Sequence, residues 1–129
     1  MVVFVNNNVK EELQKYKKAL RRYPISRERA TEKYNNMVEA LLMLGNDQTH
    51  CKPCVHKDLG QRFNVAGEPI LKNLYRYDYK DASQFPWAFA VVIDNENNKV
   101  TITKMMAASS VKEAVENMDR RNYICKNEG

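Results

Sequence analysis

The chain has 129 residues and a net charge of +5, and 43% of its residues are hydrophobic while 29% are charged. This length suits one domain, and this composition excludes collagen-like, low-complexity and disordered chains. The longest strongly apolar run, residues 87–93, is far shorter than the about 20 residues of a membrane-spanning helix. The first residues lack the basic and apolar regions of a signal peptide, and the three cysteines do not pair evenly. We therefore expect a cytoplasmic protein with no membrane segment and no disulfide framework.

The first half of the chain predicts a strand and two helices. Residues 2–5 are apolar and mostly β-branched, which indicates a short strand buried on both faces. Two apolar stripes at helical spacing follow, at Val9, Leu13, Tyr16, Leu20 and Tyr23 and at Ala30, Tyr34, Met37, Val38, Leu41 and Leu42. Pro24 ends the first helix, Ser26 caps the second, and Gly45 ends it. The short joint predicts an antiparallel helix hairpin.

The second half predicts a sheet and one further helix. Residues 46–58 have no usable period and indicate a loop. The predicted strands span residues 59–65, 70–79, 87–93 and 99–106, and a turn of Asp and Asn residues joins the last two into a hairpin. A capping box at residues 110–113 predicts a short last helix, and a polar tail follows it.

The predicted order is β-α-α-β-β-β-β-α, which is an α+β fold. An N-terminal strand and an antiparallel helix hairpin precede an antiparallel β-sheet and a short C-terminal helix. We assign residues 1–120 to a single α+β domain and residues 121–129 to the tail. Since the helices can bury their stripes only against the sheet, we expect them on one face. We expect function on the other face, which this arrangement leaves free.

Three segments carry a resemblance to a known family: LKNLYRYDY at 71–79, WAFAVVI at 87–93 and VTITKM at 100–105. With the basic helix hairpin before them, they resemble the RelE/ParE superfamily of bacterial toxins. The family pattern is a lysine-rich link, a strand with an aliphatic-aromatic-x-Arg sequence, an apolar strand, a turn, and a last strand that ends in functional polar residues. The resemblance implies a RelE/ParE-like fold.

The resemblance also implies a function, that of a small toxin in a type II toxin–antitoxin pair, held inactive by its cognate antitoxin. RelE-like members cut mRNA in the ribosomal A site, whereas ParE-like members act on DNA gyrase. We expect a ribosome-dependent mRNA endoribonuclease without a cofactor, with the ribosome and its mRNA as further partners. However, residues 105–109 are Met-Met-Ala-Ala-Ser where the ribonucleases often place His or Tyr, so no general acid is evident there.

The alternative interpretation is a basic α+β binding module without catalytic activity. Such a module is typical of a phage- or plasmid-borne regulator or inhibitor, and a gyrase-directed toxin of the ParE type belongs to the same alternative.

Cleavage of RNA through its 2′-hydroxyl needs a base, an acid and positive charge on the scissile phosphate. Arg76 is a candidate for bidentate phosphate binding, Glu68 for the base and Lys104 for a further phosphate contact. Each also has a simpler interpretation: a cross-strand salt bridge or an edge charge for Arg76, a turn carboxylate for Glu68 and a solvated cation for Lys104.

Tyr75, Tyr77 and Tyr79 alternate along one predicted strand and therefore lie on one of its faces. They are suited to stacking on bases or to packing under the helices. The second arrangement leaves Arg76 on the opposite face.

Basic side chains elsewhere are candidates for binding a nucleic-acid backbone. These are Lys17, Lys18, Arg21, Arg22, Lys52, Lys57, Arg62 and Lys72. A merely solvated basic surface is the alternative interpretation.

The segment His50-Cys51-Lys52-Pro53-Cys54-Val55-His56 is the densest set of metal-binding or redox residues. A zinc site needs four ligands, and this segment offers two thiolates and one well-placed imidazole. A thioredoxin-type pair needs a strand before it and a helix after it, which the pattern does not predict. We therefore expect no metal site here, and favour a polar surface loop with two thiols.

Overall fold

Five strands form one mixed sheet in the computed structural model, which describes residues 1–22, 26–80 and 86–108. The elements are β1 (Val2–Val5), α1 (Asn7–Leu20), α2 (Arg27–Leu42), β2 (Lys52–Pro53), β3 (Leu74–Lys80), β4 (Pro86–Asp94) and β5 (Lys99–Ala107). The strand order is β1-β5-β4-β3-β2, with β1 parallel to β5 and the other neighbours antiparallel. The predicted α+β class is confirmed. The predicted last helix and the tail lie outside the described residues.

Helix α1 begins immediately after β1. The carbonyl of Asn6 accepts hydrogen bonds from the backbone N–H groups of Val9 and Lys10, both at 3.0 Å, which starts the helix. The Nδ2 of Asn8 donates to the carbonyl of Thr103 at 3.0 Å and ties the first turn to β5. The buried face consists of Val9, Leu13, Tyr16 and Leu20, as the apolar spacing predicts over the described part of the helix.

Helix α2 begins where the sequence predicts. The hydroxyl of Ser26 accepts a hydrogen bond from the N–H of Arg29 at 3.1 Å, which confirms the predicted N-cap. Ala30, Met37 and Leu41 are buried. The prediction that Leu42 belongs to the buried stripe is wrong, because Leu42 is 53% exposed. It is the last helical residue, and a 3₁₀ turn over Met43–Gly45 follows it.

One face of the sheet, called the inner face below, packs against both helices. Its central contributors are the buried side chains of Phe89, Val91, Val100, Ile102 and Met105. Ile102 and Met105 are three residues apart, and a regular strand would point them to opposite faces. A β-bulge lets both face the helices.

The bulge lies in the pairing of β4 with β5. Ala90 pairs with Lys104 while Val91 pairs with Ile102, so Thr103 is one extra residue in β5. As a result, Ile102 and Met105 both face the helices. Lys104, the direct partner of Ala90, faces the other way.

The opposite, outer face of the sheet is not free, which corrects the expectation from the sequence. A second apolar cluster covers it and joins Cys54 and Leu59 to the strand residues Leu74, Ala88 and Ala90. The alternation along β4 explains this second layer. Phe89 and Val91 point to the helices, whereas small alanines point outward and let a loop backbone approach closely.

The predicted strand over residues 59–65 is wrong. Leu59 ends a short 3₁₀ turn (Lys57–Leu59), Gly60 adopts a φ of +105°, and Phe63 forms only an isolated bridge to Pro69. The alternating pattern does not form a strand here for two reasons. Leu59 is buried in the outer-face cluster, and Gly60 adopts a left-handed conformation that a strand excludes. The predicted loop over residues 46–58 contains the two-residue strand β2.

Strand β1 has the predicted residues but not the predicted burial. It is an edge strand, and Val2 and Phe4 on its outer side are 58% and 51% exposed. Of the helices in the described ranges, none combines the length and the hydrophobicity needed to cross a bilayer.

Candidate functional site

The segment between β2 and β3 lies over the outer face and is organised by one buried glutamine. The Nε2 of Gln61 donates to the carbonyls of Cys54 at 2.7 Å and Leu71 at 3.0 Å. Its Oε1 accepts from the N–H groups of Arg62 and Leu71, both at 2.9 Å. The amide thereby binds three positions of the loop at once, using donors and acceptors alike. Because Gln61 is only 3% exposed, these bonds form in a site where unpaired backbone groups are costly.

Beyond Gln61 the chain makes a tight turn that carries Glu68. The N–H of Glu68 donates to Oδ1 of Asn64 at 2.9 Å, and Nδ2 of Asn64 donates to the Glu68 carboxylate at 3.0 Å. Gly67 supplies the positive φ of +84° that the turn requires. The carboxylate proposed as a base is therefore part of the turn, and none of the described hydrogen bonds or ion pairs joins it to Arg76.

Arg76 lies on the outer face of β3 and is held on two sides. Its Nε donates to Oδ1 of Asp78 at 2.7 Å, and its Nη1 contacts Nε2 of His56 at 2.9 Å. The Arg76 side chain is 16% exposed, and His56 is 5% exposed. The ion pair with Asp78 runs along one strand, so the expected cross-strand salt bridge is replaced by an i,i+2 pair.

The contact between Arg76 and His56 determines the state of the imidazole. A guanidinium has five N–H donors and no acceptor, so Nε2 of His56 must accept the hydrogen bond. The tautomer that fits this contact carries its proton on Nδ1. The lone pair of His56 Nε2 is thus occupied by the guanidinium, 2.9 Å away.

Three cations lie in one row across the outer face. Register pairs Lys52 with Arg76, Arg76 with Ala90, and Ala90 with Lys104. Neighbouring strands are about 4.8 Å apart, so Lys52 adjoins Arg76 and Lys104 lies two strands, about 10 Å, away. The row thus places positive charge on both sides of Arg76. Lys104 belongs to it only because of the bulge at Thr103.

The tyrosine row packs on the inner face. Tyr75, Tyr77 and Tyr79 all contact the core cluster that includes the helices. Of the two arrangements that the sequence leaves open, packing under the helices is therefore the one observed, and Arg76 lies on the opposite face.

The remaining basic candidates occupy two separate surfaces. Near the outer face, Lys57 and Arg62 are exposed and the ammonium of Lys72 donates to the carbonyl of Pro69 at 2.9 Å. The candidates on or just after α1 are Lys17, Lys18, Arg21 and Arg22, and this helix packs against the inner face. The ammonium of Lys17 lies 4.9 Å from the ring centre of Tyr34. The structure does not bring these two basic surfaces together.

The two thiols of the Cys-x-x-Cys segment point to opposite faces. Cys51 packs against the helix-side core, and Cys54 belongs to the outer-face cluster and is 2% exposed. Burial, helped by the nearby Asp47 carboxylate, raises the pKa of Cys51 to about 11, and burial also raises the pKa of Cys54. Both thiols are free. The expectation of a polar surface loop is therefore wrong for Cys54, which is a core residue.

Sequence reasoning missed His56 and Asp78 as partners of Arg76, and Gln61 as the residue that organises the loop. Asp78 offered a signal, since residues two apart on a strand share a face. His56 was weighed only as a metal ligand; within the described residues no cluster of three metal-binding side chains forms.

Comparisons with family models, curated proteins and solved structures found no match to this chain.

Replacement of Gln61 by Leu is expected to destabilise the loop over the outer face. Each buried backbone group left unpaired costs about 1–3 kcal/mol, and the change removes the partner of Cys54 and both partners of Leu71. The melting temperature is expected to fall by more than about 5 °C. Gln14→Leu on the exposed side of α1 is the matched control and is expected to melt like the parent protein. Equal melting of both variants would contradict the role assigned to Gln61.

The raised pKa of Cys51 predicts slow alkylation in the folded protein. At pH 8 a thiol of pKa about 11 is about 0.1% thiolate, against roughly a quarter for an unperturbed thiol. We expect iodoacetamide to label Cys51 at least about 100-fold more slowly in the folded protein than in urea. The labelling rate is expected to rise about tenfold per pH unit up to pH 10, measured by mass mapping of the modified peptides. A folded-state rate equal to that in urea would show that Cys51 is not buried.

Proposed function

We propose that this chain is the toxin of a type II toxin–antitoxin pair and that it cleaves mRNA on the ribosome. A cognate antitoxin neutralises it. The observation that carries the proposal is the setting of Arg76, which is held by Asp78 and His56 and lies between Lys52 and Lys104 on the face opposite the helices.

The arrangement of elements supports the same proposal. A first strand and a basic helix hairpin precede three long antiparallel strands, and the Arg76 strand is the first of these three. This is the order on which the resemblance to the RelE/ParE toxins rests. The predicted strand over residues 59–65 is not part of this order, and β2 lies instead within the predicted loop.

The chemistry proposed for the site is attack of a ribose 2′-oxygen on the adjacent phosphorus. The new 2′-O–P bond forms as the P–O5′ bond breaks, leaving a 2′,3′-cyclic phosphate and a 5′-hydroxyl. Arg76 donates to the phosphate oxygens through N–H groups that Asp78 and His56 do not use. For His56, rather than Glu68, to take the 2′-hydroxyl proton, Nη1 of Arg76 must first leave Nε2, whose one lone pair it occupies at rest; water then protonates the leaving oxygen.

A second candidate function is a basic binding module without catalysis. The observation in its favour is that Arg76 is only 16% exposed and already has an ion pair and an imidazole partner. On this interpretation, Arg76 is a structural residue, and the exposed cations around it bind an acidic partner.

Expression of the parent chain without a partner is expected to slow bacterial growth, and Arg76→Lys is expected to relieve the effect. Lysine keeps the charge but cannot make bidentate phosphate bonds, and loss of one charge-assisted contact costs about 1.5–3 kcal/mol, or about 10–150-fold in activity. Growth curves and mapping of mRNA 5′ ends measure both effects. Arg27→Lys at the exposed start of α2 is the matched control and is expected to remain toxic.

Normal growth with confirmed soluble expression of the parent chain would refute the toxin proposal. Arg76→Ala is a poorer variant, because it also removes the N–H group that the buried Nε2 of His56 accepts from Arg76. That loss costs about 1–3 kcal/mol of stability, so we expect a lower melting temperature in addition to lost activity.

Replacement of His56 by Gln is expected to abolish cleavage while RNA binding persists. A glutamine carbonyl can still accept from Arg76 but is too weak a base to remove the 2′-hydroxyl proton. Co-sedimentation with ribosomes that carry an mRNA, and cleavage of that mRNA on the same ribosomes, separate the two effects. His50→Gln, at an exposed position, is the matched control. If His56→Gln cleaves as fast as the parent protein, the base is wrongly assigned although the toxin proposal stands.

A further inference from the structure

The two edges of the described sheet differ in how well they are protected against pairing with another strand. The β2 edge is only two residues long and consists of Lys52 and Pro53. Short length, a charged side chain and a proline are the usual devices that prevent edge pairing. The β1 edge has four residues, Val2–Val5, none of them charged and none of them proline.

The backbone of β1 directs hydrogen-bonding groups away from the sheet. The N–H of Val2 donates to the carbonyl of Asn98 in the turn before β5, and the N–H of Asn6 donates to the carbonyl of Ile102 in β5, both at 3.0 Å. In a parallel ladder, alternate residues face the same neighbour, so Val2, Phe4 and Asn6 face β5. The N–H and C=O groups of Val3 and Val5 therefore face the open edge. Among the described strands, β5 is the single neighbour of β1.

Exposed apolar side chains surround this edge. They are Val2 at 58%, Phe4 at 51%, Leu42 at 53% and Met43 at 54%. The last two lie at and just before the 3₁₀ turn, whose Gly45 carbonyl accepts from the Met1 nitrogen at 2.8 Å and so ties this turn to the start of β1. An apolar surface beside unpaired backbone groups is typical of an interaction site.

We propose that β1 pairs in antiparallel fashion with β1 of a second copy of this chain, in the register centred on Phe4. This register sets Val3 opposite Val5 of the second copy and Val5 opposite its Val3. All outward N–H and C=O groups of both residues are then used, which makes four hydrogen bonds. The two Phe4 rings become a cross-strand pair on the outer face, where such aromatic pairs are favourable. The two sheets join into one.

A second copy fits this edge better than an acidic partner does. The edge is uncharged on a protein whose net charge is +5, so an acidic partner is attracted to other surfaces. A dimer with a twofold axis needs a surface that is complementary to itself. A neutral strand with equal numbers of outward hydrogen-bond donors and acceptors meets this requirement. Two cations lie near the strand: Lys99, over the Phe4 ring at 5.5 Å, pairs in register with Val2, and the Met1 ammonium before Val2 donates to the carbonyl of Gly45.

Sedimentation velocity from micromolar to millimolar concentration tests the proposal. The mass is expected to rise from 15.1 kDa toward twice that value as the concentration increases. Phe4→Lys places like charges at the axis and is expected to stay monomeric, with its fold checked by thermal melting. Val65→Lys adds the same charge at a fully exposed position of the loop and is expected to dimerise like the parent protein. A parent protein that is monomeric throughout this range would overturn the proposal.

Disulfide trapping tests the register. In a Cys125→Ser background, Phe4→Cys is expected to cross-link two copies under mild oxidation, since Cα atoms of such a pair are about 4.5 Å apart. Val2→Cys is expected to cross-link poorly, because the register sets Val2 opposite Asn6. Equal or better cross-linking through Val2 would refute this register. These outcomes do not depend on RNA cleavage, so they separate this proposal from the proposed toxin function.

Discussion

The central strand β4 must be covered on both faces, and the rest of the structure is arranged around that requirement. Ala88, Phe89, Ala90 and Val91 are all fully buried. Helices meet the large side chains on one side, and the loop between β2 and β3 meets the alanines on the other. Burial of apolar area on both sides stabilises the strand, but the outer cover is a loop whose backbone polar groups need partners. Gln61 supplies several of them.

The setting of Arg76 follows from this second layer. A guanidinium on an open sheet face would be solvated, whereas the loop brings the imidazole of His56 against it and leaves 16% of its side chain exposed. Partial burial strengthens the interaction with Asp78 and makes any loss of a partner costly. The cationic row therefore has a preorganised centre and exposed lysines at its ends, the arrangement on which the proposed binding of RNA rests.

Several parts were predictable because local pattern and burial agree. The stripe of α1, the cap at Ser26 and the strands of the 87–106 hairpin follow from periodicity and turn chemistry. Residues 59–65 alternate like a strand, yet the burial of Leu59 and the conformation of Gly60 give a turn instead. The role of His56 was not predictable, since its partner Arg76 lies 20 positions away along the chain.

The sequence by itself determined the α+β class, both helices and the placement of the three tyrosines on one shared face of β3, because periodicity decides which side chains lie together. Only the tertiary structure decided where the cations meet. Regular alternation would place Lys104 with Val100 and Ile102 on the helix side, but the extra residue Thr103 turns it toward Arg76. An extra residue of this kind is a property of how two strands pair, so its position is decided only when the strands are assembled into the sheet.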